Sequence, residues 1–129
     1  MVPTSLSVGT DDLLKLQEAQ ETQLVLNIGG SDFRTTRSTL LKDPQSKLAR
    51  MVSKDSPVRP DKGGKYFLDR DSHHFRFILN YRNNCILNPR LLPKDIRYLN
   101  EMLLEAEFYN LEGLVRIIHT RLLALYALE

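Results

Sequence analysis

The run Gln23-Leu24-Val25-Leu26-Asn27-Ile28-Gly29-Gly30-Ser31-Asp32-Phe33-Arg34-Thr35 decides the fold. Leu24, Leu26 and Ile28 alternate with Val25 and Asn27, the two-residue period of a strand with one wholly apolar face. Gly29 and Gly30 then separate this run from residues 31–35. Tight turns between antiparallel strands need positive φ, which glycine adopts without steric cost, so the two runs are expected to form a hairpin. Phe33 is read as core, with an interface position as the minor reading.

Outward from the hairpin the period changes. Upstream, residues 1–10 are small and polar, the composition of a loose terminus. Asp11 is placed to cap a short helix through Gln20 with Leu13, Leu14 and Leu16 on its apolar face. That helix is expected to be a solvated lead-in, with an arm lying on the domain as the alternative. Downstream, residues 36–41 read as a short helical segment. Asp43-Pro44 reads as a helix start, because Asp caps and Pro fits a first turn that needs no N–H; that helix carries Leu48, Met51 and Val52. Residues 53–65 hold two prolines and two glycines and read as a loop. Tyr66-Phe67-Leu68 is a third strand.

Asp71 or Ser72 then caps a helix with Phe75, Ile78 and Leu79 on one face. It ends at Asn83-Asn84, residues that tolerate the left-handed conformation. Ile86-Leu87 reads as a short strand. Pro93 opens a helix bearing Ile96, Leu99, Met102, Leu103 and Ala106. Asn110 caps the last helix, with Leu111, Leu114, Val115, Ile118, Leu122 and Leu125 on one side. The expected class is α+β: a small mixed sheet built on the hairpin, with flanking helices. Residues 1–20 form a tail or short helix, 21–125 the domain, and 126–129 its end or the start of a linker.

Composition narrows the function. The 129 residues are 42% hydrophobic and 26% charged, with a net charge of +2, too small to make nucleic acid or an anionic membrane the main partner. Cys85 is the only cysteine, so no disulfide framework exists within the chain, which points to the cytoplasm, with the nucleus as the alternative. The longest apolar run, residues 122–128, is far short of the ~20 residues that span a bilayer. Asp11 and Asp12 do not suit a secretory signal, and neither terminus carries a lipidation box.

The chemistry-bearing residues do not converge on a reaction. Gly29-Gly30 lacks the third glycine of a dinucleotide fingerprint, and Gly63-Gly64-Lys65 is followed by Tyr66 rather than Ser or Thr, so neither cradles a phosphate. His73 and His74, read as neighbours on a helix, point ~100° apart and cannot chelate one ion together. His119 has no cysteine nearby in sequence, and zinc wants four convergent ligands. Cys85 reads as a small buried hydrophobe rather than a nucleophile. Glu101 and Glu105, four apart, read as a solvated helix face, and Glu107 points elsewhere. Arg34, Arg37, Lys42, Lys47, Arg50, Arg70, Arg76 and Arg82 are dispersed without interleaved aromatics, unlike a single-strand reader. No enzyme, metal or cofactor is expected.

Five strings in order carry a resemblance: residues 24–40, Asp43-Pro44-Gln45-Ser46, Tyr66-Phe67-Leu68-Asp69-Arg70-Asp71, Phe75-Arg76-Phe77-Ile78-Leu79-Asn80-Tyr81, and Glu105-Ala106-Glu107-Phe108-Tyr109-Asn110-Leu111. In this order and spacing they resemble the potassium-channel tetramerisation branch of the BTB/POZ fold, over about residues 23–120. The last string and Asp69-Arg70-Asp71 look like the soluble members rather than the channels. The His plus Cys-Cys zinc set of one channel class is excluded, since no Cys-Cys pair is present. Arg82 and Cys85 depart from the Leu and helix-ending Gly usual there, and the stretch from Pro89 to Leu99 is a few residues longer than in many relatives.

The resemblance implies a closed homo-oligomeric ring, a tetramer or pentamer, held by heterologous and unusually polar contacts. Its implied interface maps to Thr35, Arg37, Asp69, Arg70 and Asp71, the ordinary alternative for Asp71 being a helix cap. It also implies an adaptor that recruits a ubiquitin ligase through the N-terminal region of cullin-3, with contacts at His74, Phe108 and Tyr109. Core packing is the competing role for the two aromatic rings. The alternative function is the cytoplasmic assembly domain of, or a regulatory partner for, a voltage-gated potassium channel or receptor, without cullin binding.

Overall fold

The computed structural model describes residues 9–84 and 92–128. The hairpin forms as the sequence dictates: β1 (Gln23–Ile28) pairs antiparallel with β2 (Ser31–Thr36), from Gln23 opposite Thr36 to Ile28 opposite Ser31. Both turn glycines have positive φ, +59° at Gly29 and +107° at Gly30. The Asn27 side chain accepts a hydrogen bond from the Gly30 N–H at 2.8 Å, closing the turn. β3 (Lys65–Leu68) runs parallel to β1 on its other side, so the sheet order is β2-β1-β3. A parallel neighbour needs a crossover, here supplied by α2 (Arg37–Leu41), α3 (Lys47–Val52) and the loop after them.

The helices close over the sheet. α4 (Phe75–Asn84), α5 (Ile96–Phe108) and α6 (Glu112–Tyr126) bring Ile78, Leu79, Leu99, Met102, Leu114 and Ile118 onto the buried Leu26, Ile28 and Phe33 of the hairpin, in one apolar core. Gly113 lets α6 approach α4 closely, since a Cβ there would stand 2.4 Å from the Tyr81 hydroxyl. α1 (Thr10–Thr22) precedes the sheet and buries no residue, and its Leu16, Ala19 and Gln20 border Arg34, Thr35 and Thr36 of β2.

Several expected helix starts move, and for α3 and α5 the reason is a competing side-chain cap a few residues on. α1 is preceded by Gly9, not capped by Asp11. Asp43-Pro44 forms a turn in which the Ser46 N–H donates to the Asp43 carbonyl, and Ser46 Oγ then accepts from the Ala49 N–H to cap α3. Pro93 lies outside α5, which Asp95 caps by accepting from the Tyr98 N–H. Asp71 Oδ1 accepts from the His73 N–H at 2.9 Å, so Asp71 holds the turn before α4 rather than capping the helix itself. His73 and His74 lie in that turn, not on a helix, with rings 4.6 Å apart.

Asn110 does not cap α6. It stops α5, with φ +58°. The Leu111 N–H donates to the Ala106 carbonyl and the Asn110 N–H to the Glu107 carbonyl, the paired bonds of a left-handed helix terminus. Cys85, Ile86-Leu87 and Pro89 lie outside the described residues. No helix among the described residues is long and apolar enough to cross a membrane, and no group of three or more His, Cys, Asp or Glu among them can hold a metal.

Candidate interaction site

The residues singled out in the sequence fall into two groups, set apart by the strand registers. Thr35 and Arg37 lie where β2 ends, beside Gln23 of β1. Asp69, Arg70 and Asp71 follow β3, beside Ile28 of β1. The two groups are therefore at opposite ends of the sheet, roughly 17 Å of strand apart, and do not form one cluster.

At the β2 end, Arg37 Nη1 donates to the Val52 carbonyl and ties the start of α2 to the end of α3. Thr35 is half-buried, and its Oγ1 is enclosed without a hydrogen-bond partner among the described residues. Such an orphaned hydroxyl costs free energy unless something else completes it.

At the β3 end, Asp69 and Asp71 are exposed and Arg70 turns inward. Arg70 Nε donates to Glu105 Oε1 at 3.2 Å and Nη2 to Oε2 at 2.5 Å, a two-point fork between the β3 end and α5. The Glu105 carboxylate, bonded and close, holds the Arg70 guanidinium above its ordinary pKa. Glu105 is thus buried and paired, which corrects the expectation of a solvated acidic face: the i, i+4 spacing with Glu101 says nothing of an arginine thirty-five positions away. Arg70 also lies over the Phe108 ring, its Cζ 4.0 Å from the centroid, and Lys47 Nζ lies 3.7 Å from the same centroid.

Lys47 is fixed from the backbone as well. Its N–H donates to the Tyr109 carbonyl at 2.9 Å, and Asn110 Nδ2 donates to the Gln45 carbonyl at 2.9 Å. Phe108 is half-buried. Tyr109 takes the core role of the two weighed for it: it is fully enclosed, its ring packs on Phe75 at 5.5 Å and on Phe108 at 5.0 Å, and its hydroxyl lacks a partner among the described residues. Burial, with the Glu105 charge adding to it, pushes the Tyr109 phenol well above its ordinary pKa.

His74 is only 5% exposed. Its Nε2 lies 3.2 Å from Glu101 Oε1, its ring packs edge-on against Tyr98 at 4.3 Å, and its Nδ1 has no partner among the described residues. Asp71, His74, Glu101, Leu104 and Glu105 line a shallow notch of about 220 Å³. Leu104, which the sequence reading passed over, stands 64% exposed beside it. Its position off the Leu99, Met102, Ala106 stripe was the available signal. Glu105, Arg70, Phe108 and Lys47 are linked contact by contact, and the His74–Glu101 pair borders the same notch as Glu105, so Phe108 and His74 lie near the β3-end residues while Tyr109 is in the core.

The family model of the BTB/POZ domain matches residues 24–118. Among curated proteins, human BTB/POZ domain-containing protein KCTD5 is 37% identical over 101 residues, covering 75% of this chain and 41% of that protein. Human BTB/POZ domain-containing protein KCTD21 is 34% identical over 98 residues, covering 76% and 36%. The FH protein interacting protein FIP2 of Arabidopsis thaliana is 43% identical over 91 residues, covering 69% and 29%. The chain spans about two-fifths or less of the length of these relatives.

Proposed function

Because the chain belongs to the BTB/POZ domain family of the potassium-channel tetramerisation type, a family of oligomerisation and protein-interaction domains, we propose that it is a non-enzymatic ring-forming adaptor. Four or five copies meet head to tail, and the surface around α5 recruits the N-terminal region of cullin-3.

One observation carries the assembly reading: opposite charges lie at opposite ends of the sheet. Arg34 and Arg37 stand at the β2 end, and exposed Asp69 and Asp71 at the β3 end. A heterologous ring needs two different, complementary faces on one chain. The adaptor reading rests on the resemblance and on the anchor chemistry of the α5 surface: exposed Leu104, half-buried Phe108 and the acidic notch beside His74. A few such side chains dominate interface energy.

Light scattering on the purified chain tests the ring; a monomer at high concentration overturns it. Calorimetric titration with a cullin-3 N-terminal fragment tests the adaptor step; no heat of binding at tens of micromolar removes it and leaves the ring untouched.

A further inference from the structure

Two apolar features lie outside the surfaces described so far. The first is α1. Leu13 is 56% exposed and Leu16 65%, one turn apart on the same face, and the helix buries no residue. A helix of 13 residues is marginal in water on its own and gains most of its stability from packing an apolar face. It carries Asp11, Asp12, Glu18 and Glu21 against Lys15 alone. The second is a groove of about 470 Å³ along α6, floored by Leu92, Ile117 and Ala124 and edged by Thr120, Arg116 and Arg121. Among the described residues that line it, none is acidic. The two Arg residues give it the charge opposite to that of α1.

We propose that α1 of one copy docks in the α6 groove of a second copy. Leu13 and Leu16 enter the apolar floor, and Asp12, which flanks that face, lies toward Arg116. The occupant is another copy because knob and hole, matched in polarity and opposite in charge, lie on different elements of one chain while its own leucines stay exposed. Such a contact is heterologous, joining each copy to a next one. It is apolar at its centre; Leu16 borders Arg34 and Thr35 of its own β2 end, so the two contacts are told apart by readout, a crosslink for this one and oligomer mass for the sheet ends.

Full chains test it in a Cys85→Ser background. One chain carries Leu16→Cys and the other Ala124→Cys; both positions are exposed, and surface substitutions leave stability nearly unchanged. The two chains are mixed and treated with a short bismaleimide. The expected result is a covalent dimer in the mixture at a rate at least tenfold above either chain alone. Adding Arg116→Glu to the Ala124→Cys chain slows the reaction at least fivefold, and adding Asp12→Arg, one turn from the linked position on the same face, to the Leu16→Cys chain restores it. A mixture that links no faster than its components overturns the contact. If light scattering finds a ring in that same sample, the sheet-end assembly stands and only the α1 docking is refuted.

Discussion

Arg70 and Glu105 meet as a fork, Nε on Oε1 at 3.2 Å and Nη2 on Oε2 at 2.5 Å, and this pair clamps the end of β3 to α5. It lies at the centre of the surface that the family resemblance marks for partners. Asp71 is next to it in sequence, and Phe108 lies one turn further along α5 under the Arg70 guanidinium. The charged string Asp69-Arg70-Asp71 therefore divides its work: the arginine holds the fold, and the two carboxylates face outward.

Removing the arginine leaves Glu105 enclosed without its partner, and such an unpaired group costs more than the pair was worth. Arg70→Ala is expected to lower stability by about 1–3 kcal/mol, with one edge of the guanidinium still in water moderating the loss. Arg70→Lys keeps the charge but not the two-point geometry, and recovers about half. Urea unfolding followed by circular dichroism reads both; equal midpoints for all three proteins would refute the clamp.

Gly29 carries a second constraint on the same strand end. A Cβ there would stand 2.3 Å from the Arg70 carbonyl oxygen, at φ +59°, whereas a Cβ on Gly30 meets nothing within 4 Å. Gly29→Ala adds a backbone collision to the left-handed cost and is expected to lose about 2–4 kcal/mol. Gly30→Ala loses about 1–2 kcal/mol from conformation alone. Thermal melts of the two variants should keep that order.

The hairpin was fully legible, because strand period and turn glycines are local signals. So were the apolar stripes of α4, α5 and α6. Helix starts were less so. Pro44 and Pro93 fit a first turn, yet Ser46 and Asp95 offer a side-chain oxygen to an amide three residues on, and the hydrogen bond outweighs the fixed φ. Asn110 was misread because a small polar residue between two apolar runs suits both the end of one helix and the start of the next. The Arg70–Glu105 clamp, the enclosure of His74 and the cations over Phe108 join residues twenty-seven to sixty-one positions apart. No periodicity encodes such pairs.

Asn110 combines two roles that substitutions separate. Its φ of +58° disfavours any residue with a Cβ except Asn or Asp, and its Nδ2 donates to the Gln45 carbonyl. Asn110→Gly keeps the conformation and loses only the bond, about 1 kcal/mol. Asn110→Ala loses both, about 2–3 kcal/mol in total. Chemical denaturation distinguishes the two; Asn110→Ala at least as stable as Asn110→Gly would contradict the left-handed stop.

Tyr109 makes stability depend on pH at the alkaline end. The folded chain holds the phenol proton above the ordinary value of 10.0, while the unfolded chain releases it there. Above pH 10 the unfolded state binds fewer protons, so stability falls as pH rises, by at most about 1.4 kcal/mol per pH unit from this one group. Tyr109→Phe abolishes that part of the slope. At pH 7 it is neutral or slightly stabilising, because it removes an enclosed hydroxyl that has no partner among the described residues. Unfolding free energies at pH 7, 10 and 11 for both proteins check the sign.

The assembly reading is tested most cleanly at Asp69. This residue is exposed and no hydrogen bond or ion pair holds it among the described residues, so reversing its charge should leave the melting temperature almost unchanged. In a head-to-tail ring, Asp69→Arg places a cation against the Arg34 and Arg37 end of the neighbouring copy, and like charges across an interface cost several kcal/mol. The expected result is a dissociation constant raised at least tenfold. Lys54→Glu, in the loop after α3, is the control and should leave the oligomer intact. Arg70→Glu also weakens the ring more than Lys54→Glu, but it breaks the clamp as well, so its effect mixes folding with assembly. Salt separates the two further: exposed charges are screened within a few ångströms at high ionic strength, so raising it weakens the unaltered ring and narrows the gap to Asp69→Arg. Equal oligomer mass for Asp69→Arg and Lys54→Glu at low salt, measured by light scattering across a dilution series, would place the interface elsewhere on the chain.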